Sequence, residues 1–171
     1  MTNDGVTSDG VANKYDLVLE RVLDAPRAAV WSAWTDPAQL AGWWGPKRFT
    51  NPVCRADARP GGAIFVEMRA PDGTVYPMSG TYLEVVEPER IVFTSAALDE
   101  LGKPKFEVHT TVTFADLDGK TALKLVARVL KMTPADATQH LDGMREGWSQ
   151  SLDRLAEMVT NRDVEHNLQS K

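Results

Sequence analysis

Cysteine, histidine and long apolar runs are all scarce in this sequence. One cysteine among 171 residues cannot form an internal disulfide, and a lone thiol fits a reducing compartment, so we expect a cytoplasmic protein. The three histidines, His109, His140 and His166, show none of the short spacings of metal ligands. No apolar run reaches the roughly 18 residues of a membrane span, and no basic segment followed by an apolar one opens the chain. We therefore expect neither a metal site nor a membrane partner.

Positive charge is also in deficit. Lysine and arginine number 19 against 24 aspartates and glutamates, which leaves a net charge of −5. Nucleic-acid binding needs a basic surface, so a nucleic-acid partner is not expected. The sequence also lacks a glycine-rich phosphate loop and a Gly-x-Ser-x-Gly motif, so we expect no cofactor and assign no catalytic residue.

The distribution of apolar residues predicts one domain with polar ends. Residues 1–14 are small and polar and are predicted to form a disordered arm, and residues 161–171 are predicted to be a frayed tail. The segment between them, 15–160, carries periodic apolar patterns throughout. A folded unit of this length suits a single domain.

The first third of this domain predicts a strand and two short helices. Residues 15–23 alternate as a strand does. Asp24-Ala25-Pro26 predicts a helix start, with Asp24 or Ala25 as the cap and Pro26 in the first turn. Asp36-Pro37 predicts a second short helix, which Gly45-Pro46 ends.

The pattern then changes to a period of two, with tight turns between the alternating segments. Strands are predicted at 51–55, 63–70, 74–86, 90–97, 106–115 and 121–130. The turns Pro71-Asp72-Gly73 and Asp118-Gly119 are typical of hairpins. Strands joined by such short turns must be antiparallel. The sequence therefore predicts an antiparallel meander.

Residues 134–159 carry the longest helical pattern. Apolar side chains recur there at spacings of three and four: Leu141, Met144, Trp148, Leu152, Leu155 and Val159. Such a stripe needs a large apolar surface, and the concave face of the sheet offers one. We predict an α+β fold in which a curved antiparallel sheet wraps around this helix.

A cavity between the helix and the sheet follows from the curvature. Adjacent strands rotate by roughly 20–25°, so a sheet of about six strands curls beyond what one helix can fill. Gly143 and Gly147 each cost the helix about 1 kcal/mol, which indicates either close packing or space for a ligand. The alternation places Ser95 and Val108 on the inner face with other candidates. The candidate ligand-binding residues are Trp43, Trp44, Val66, Met68, Met78, Tyr82, Phe93, Val112, Leu125, Met144, Gly147 and Trp148. Their composition is typical both of a small-molecule site and of an ordinary core.

A few residues would distinguish other functions. The alternation turns Glu67 and His109 outward, whereas a reversed parity would bring them into the cavity and favour an acid–base enzyme. Trp43 and Trp44 are adjacent and so point apart, and an exposed tryptophan would mark a partner surface, such as a homodimer interface. Cys54 lies in a predicted strand and is interpreted as a buried, inert thiol.

Several motifs carry a resemblance to a known family. They are Pro26-Arg27-Ala28-Ala29-Val30-Trp31-Ser32-Ala33-Trp34-Thr35-Asp36-Pro37, Gly42-Trp43-Trp44-Gly45-Pro46, Arg59-Pro60-Gly61-Gly62 and Glu87-Pro88-Glu89-Arg90-Ile91-Val92-Phe93-Thr94. The chain resembles bacterial proteins named for similarity to the activator of the heat-shock chaperone ATPase, a branch of the START-like, or SRPBCC, superfamily. The resemblance implies the helix-grip fold. That superfamily includes lipid carriers, hormone receptors and cyclases, so the resemblance does not define one function.

Our leading hypothesis is a module that binds a small hydrophobic or aromatic molecule in the cavity. The first alternative is an enzyme of the cyclase or hydrolase type that uses the same cavity. The second is a chaperone-activating protein-interaction module.

Overall fold

The chain folds as a curved sheet of seven strands with a long helix against its concave face. The computed structural model describes residues 16–130 and 134–169, without the side chains of 105–106, 134–142 and 161–169. The elements are β1 (Leu17–Leu23), α1 (Arg27–Thr35), α2 (Pro37–Leu40), β2 (Thr50–Ala56), β3 (Ala63–Arg69), β4 (Val75–Val86), β5 (Arg90–Leu98), β6 (Pro104–Leu117), β7 (Lys120–Leu130) and α3 (Pro134–Gln169). The predicted α+β, helix-grip architecture is confirmed. The predicted arm, 1–14, lies outside the described residues.

The sheet is antiparallel throughout, in the order β1-β7-β6-β5-β4-β3-β2. Strands β2 to β7 follow the chain as a meander, and β1 adds to β7 at one edge. The predicted inner face is confirmed by a row across three strands, in which Ile91 pairs with Val112 and Val112 with Leu125. All three side chains are almost fully buried, so the alternation correctly identified the side of the sheet that faces α3.

A close backbone approach accompanies the curvature of β4. A Cβ added at Gly80 would overlap the carbonyl oxygen of Thr94 on β5. Two residues further on, the pairing register between β4 and β5 shifts between Tyr82 and Glu84. Such irregularities bend a strand and increase its twist. Glycine at position 80 thus lets these two strands approach at the bend.

The two short helices form close to where the sequence predicts them, with one difference at the first. Pro26 sits at the N-cap of α1 in extended conformation, with φ −70° and ψ 155°, and no side chain caps the helix. The prediction that Asp24 or Ala25 caps the helix, with Pro26 inside the first turn, was therefore wrong by one position. At α2 the Asp36 carboxylate accepts a hydrogen bond of 3.1 Å from the Ala38 amide, as an N-cap does.

Helix α3 continues beyond Val159, where its apolar stripe ends, to Gln169. Leu152, Leu155 and Val159 are almost fully buried in the core that α3 forms with the sheet. Met144 and Trp148 are only partly buried at the other end of the stripe. The side chain of Leu141 lies outside the described residues. Among the helices that the structure describes, none is long and apolar enough to cross a membrane.

Candidate binding cavity

A cavity of about 210 Å³ lies between the part of α3 around Trp148 and the sheet. One wall is the loop that joins α2 to β2, and the floor is formed by residues of β3, β4, β5 and β6. The described lining residues are Trp44, Gly45, Pro46, Met68, Met78, Ser95, Ala96, Ala97, Val108, Met144, Gly147, Trp148 and Ser151. The cavity therefore occupies the region that the curvature argument predicted.

The lining of this cavity is apolar and rich in sulfur and aromatic rings. Trp44 and Trp148 meet almost at right angles, with ring centroids 5.1 Å apart and an interplanar angle of 76°. Methionines at 68, 78 and 144 complete much of the wall, and methionine adapts its shape and contacts aromatic edges favourably. No ionisable side chain belongs to the described lining. The arrangement is suited to holding a neutral apolar molecule by shape.

Gly147 borders the cavity and has open space beside its Cα atom. A Cβ placed on Gly147 would meet no heavy atom within 4 Å, and the same holds for Gly143, one turn earlier. Close helix packing would have placed atoms there. Gly143 is exposed and is not part of the lining, whereas Gly147 is. The structure therefore shows open space, and not close packing, at both glycines. Of the two, Gly147 borders the cavity.

The structure brings half of the predicted site residues to the cavity wall. Those that line it are Trp44, Met68, Met78, Met144, Gly147 and Trp148. Tyr82 and Phe93 instead line a second, much smaller space.

The remaining predicted residues, Trp43, Val66, Val112 and Leu125, are fully buried in the core and do not line the cavity. They face the correct side of the sheet but belong to the hydrophobic core, in which Trp34 contacts the rings of Trp43, Phe93 and Phe114. The alternation of apolar and polar residues identifies which face of the sheet a side chain is on. It does not identify where on that face the cavity lies.

Other lining residues were missing from the candidate set. Ser95 and Val108 were on the predicted inner face, but nothing distinguished them from core residues. Ala96 and Ala97 reach the cavity together because the β5–β6 register shifts between Ala96 and Leu98, which breaks the alternation. Gly45 and Pro46 had no periodic signal because they are in a loop, and Ser151 was missed because it is polar, although it is buried and in phase with the stripe of α3.

The loop wall of the cavity is held to α3 by one arginine. The two N–H groups of one Arg154 nitrogen, Nη1, are shared among the carbonyl oxygens of Trp44, Gly45 and Pro46, at 3.0, 2.9 and 2.9 Å. The other, Nη2, donates to the carbonyl of Gly42 at 3.2 Å. Burial lowers the pKa of the Arg154 guanidinium. We call this set of four bonds the Arg154 clamp.

Two further bonds join the same loop to the same helix. The Ser151 hydroxyl donates to the Gly45 carbonyl at 2.9 Å, and the Lys47 amide donates to the Gln150 side-chain oxygen at 2.9 Å. Gly45 has a φ of 91°, a conformation that other residues rarely adopt. The loop that presents Trp44 to the cavity is therefore fixed by α3 over several consecutive residues.

The groups that could have supported acid–base chemistry lie elsewhere. His109 pairs with Arg128 on the outer face of the sheet and is half-buried. Burial, then the charges of Arg128 and Arg90, lower the pKa of His109. Glu67 is on the face of the sheet opposite to that of Met68. Neither residue is part of the cavity lining, in agreement with the predicted strand parity.

The adjacent tryptophans are both buried. Trp43 is 0% exposed, and its Nε1 donates to the carbonyl of Ala33 at 2.9 Å. Trp44 is 8% exposed and forms part of the cavity wall. The exposed tryptophan that would have indicated a partner surface is not found at either position.

Cys54 is expected to react slowly with thiol reagents. Burial raises the pKa of its thiol to about 11, so little thiolate is present at pH 8. The small thiolate fraction is partly offset because a more basic thiolate is a stronger nucleophile. We expect a reaction with 5,5′-dithiobis(2-nitrobenzoate) about 30-fold slower than that of free cysteine. The absorbance of the released thiolate measures the rate. A rate equal to that of free cysteine would contradict the predicted buried, inert thiol.

Comparison with known proteins adds the following. The profile of the family described as "Activator of Hsp90 ATPase homolog 1-like protein" matches residues 24–160. A protein from Nitrosomonas europaea is similar over 90% of this chain and 99% of its own, with 30% identity and a TM-score of 0.78. One from Chromobacterium violaceum covers 85% and 97%, with 36% identity and a TM-score of 0.70. The AHSA1 protein from Silicibacter pomeroyi covers 86% and 99%, with 28% identity and a TM-score of 0.75. Among curated proteins, none matches this chain.

Proposed function

This chain belongs to the Activator of Hsp90 ATPase homolog 1-like family, and we propose that it binds a small hydrophobic or aromatic molecule in the cavity between α3 and the sheet. Proteins of this helix-grip superfamily commonly use that region for apolar ligands, which supports the proposal by analogy only. The cavity of this chain supports the proposal directly.

The observation that carries the proposal is the size and lining of the cavity. A dry, apolar cavity of about 150 Å³ is enough to bind benzene. The cavity here is about 210 Å³, so it has room for a molecule somewhat larger than one aromatic ring. The absence of ionisable side chains from its described lining favours a neutral ligand, because a buried charge without a partner is costly.

The aromatic residues favour a flat ligand. The rings of Trp44 and Trp148 form a corner, and aromatic groups prefer offset or edge-to-face contacts of this kind. Three methionine side chains can adapt to the remaining outline of the ligand. Binding would then depend on shape and dispersion, with few hydrogen bonds.

The other parts of the hypothesis are also proposals. We place the protein in the cytoplasm, which the single half-buried thiol of Cys54 supports. The family description refers to activation of the Hsp90 ATPase, and a homodimer was a further alternative. Both would use an exposed surface, and the tryptophans that would have indicated one, Trp43 and Trp44, are buried.

Native mass spectrometry tests the binding proposal and the oligomeric state together. The purified protein is measured first in a native buffer and then after a denaturing step that releases non-covalent ligands. We expect the native mass to exceed the chain mass by that of an apolar compound, which the denaturing step removes. A native mass equal to that of the bare chain, together with no binding of added naphthalene derivatives, would contradict the proposal.

A further inference from the structure

A second, smaller space is lined in part by Trp44. It measures about 10 Å³ and is lined by Trp34, Leu40, Trp44, Ile64, Tyr82, Ile91 and Phe93. Trp44 is the residue that this space shares with the cavity. About 10–15 Å³ is the smallest volume that holds one water molecule, so this space fits a single oxygen atom and not a ring.

One wall residue of this space has an unused hydrogen-bond donor. The Trp34 Nε1 atom is buried and forms no hydrogen bond in the part of the chain that the structure describes. The neighbouring indole of Trp43 shows the ordinary outcome, since its Nε1 donates to the Ala33 carbonyl at 2.9 Å. Buried donors are nearly always paired, so an unpaired one needs an explanation.

Tyr82 also lines this space, and its phenol is neutral. Tyr82 is 3% exposed, and burial, followed by the nearby Cys54 and Asp57, raises its pKa to about 12. It therefore stays protonated at neutral pH and can both donate and accept a hydrogen bond. No cation is among the described residues of this lining, so an anionic group would be poorly tolerated there.

We propose that this space is a polar subsite of the cavity, in which the Trp34 Nε1–H donates to a neutral oxygen atom of the ligand. The Arg154 clamp holds the backbone around Trp44 and not its ring, so the indole, which belongs to both linings, can rotate about its side-chain bonds and connect the two spaces when the ligand enters. The ligand class is then an aromatic molecule that carries one hydroxyl or carbonyl group on its edge. This inference rests on the proposed function and deepens it.

A pair of probes of equal size tests the subsite. 2-Naphthol and 2-methylnaphthalene differ only in a hydroxyl against a methyl group. A purely apolar cavity would prefer the methyl compound, because the hydroxyl gives up its bonds to water on entering. We expect the wild-type protein to bind 2-naphthol about fivefold more tightly, measured by ligand-detected NMR titration at pH 7.

The variant Trp34→Phe removes the donor and keeps an aromatic ring. In this variant we expect the ratio of the affinity for 2-naphthol to that for 2-methylnaphthalene to fall about tenfold. The affinity for 2-methylnaphthalene itself should change less than twofold. Trp31→Phe is the matched control, because Trp31 is another buried tryptophan of α1 that lines neither space. The control should keep the preference.

The outcomes separate the two proposals. Wild-type preference for 2-methylnaphthalene, or an unchanged preference in Trp34→Phe, would overturn the subsite and leave the cavity proposal standing. Failure of both probes to bind the wild-type protein would overturn the proposed function and the subsite with it. If Trp34→Phe does not fold, the comparison of the two probes on the wild-type protein still decides the question.

Discussion

Replacing Gly147 with leucine is expected to weaken the binding of 2-methylnaphthalene at least 100-fold without lowering the stability of the protein. No heavy atom lies within 4 Å of the place where a Cβ would be, so the new side chain extends into the cavity and takes the volume that the ligand needs. Leucine also favours the helix by about 0.8 kcal/mol relative to glycine, which raises the stability of α3 if anything. Ligand titration and thermal unfolding measure the two effects.

Gly143→Leu is the matched control for this prediction. Gly143 has the same open surroundings and is on the same helix, but it is exposed and does not line the cavity. It should gain the same helical stability and keep full affinity. Unchanged binding in Gly147→Leu would contradict the assignment of the cavity as the binding site. Loss of folding in that variant would show that Gly147 is needed for close packing.

Replacing Arg154 with methionine is expected to lower the free energy of unfolding by about 3 kcal/mol and to weaken ligand binding about tenfold. The substitution removes the Arg154 clamp, which supplies donors to four carbonyl oxygens of the α2–β2 loop. Hydrogen bonds to charged groups contribute roughly 1.5–3 kcal/mol each, and partial solvent access reduces the sum. Binding weakens as well, because the backbone that carries Trp44 is then no longer fixed against α3. Urea unfolding and ligand titration measure the two losses.

Two further variants sharpen this test. Arg145→Met removes an exposed arginine from the same helix and should change neither quantity. Arg154→Lys keeps the charge but not the planar fork that reaches several carbonyls, so it should recover only part of the stability. Stability and affinity equal to those of the wild-type protein in Arg154→Met would contradict the role of the clamp.

The sheet and the long helix could be predicted because their signals are local and periodic. The alternation in β3 and β5 to β7 placed residues such as Val66 and Val112 on the inner face, and the structure buries both. The hairpin at Asp118-Gly119 was predictable because an Asp-Gly dipeptide tolerates positive φ. In the structure both residues adopt it, at 51° and 88°. In each case a few neighbouring residues carry the whole signal.

The cavity could be predicted as a region but not as a set of residues. Whether an inner-face side chain borders the cavity or packs against another core residue depends on which aromatic ring lies above it, and that is a tertiary property. Trp43 and Trp44 are adjacent in sequence, yet only Trp44 reaches the cavity. The Arg154 clamp has no sequence signal either, because its acceptors are backbone carbonyls that any residue provides.

The clamp also has a consequence for how the protein is made. Arg154 and Trp44 are 110 residues apart in the chain, so the bond between them is a contact of long range. During synthesis the α2–β2 loop leaves the ribosome well before α3 exists, and α3 also carries Met144 and Trp148 of the cavity wall. A nascent chain can therefore pair its strands early, whereas its cavity is completed only when α3 docks. Ligand present in the cell during synthesis would then act on the final step, by stabilising the docked helix.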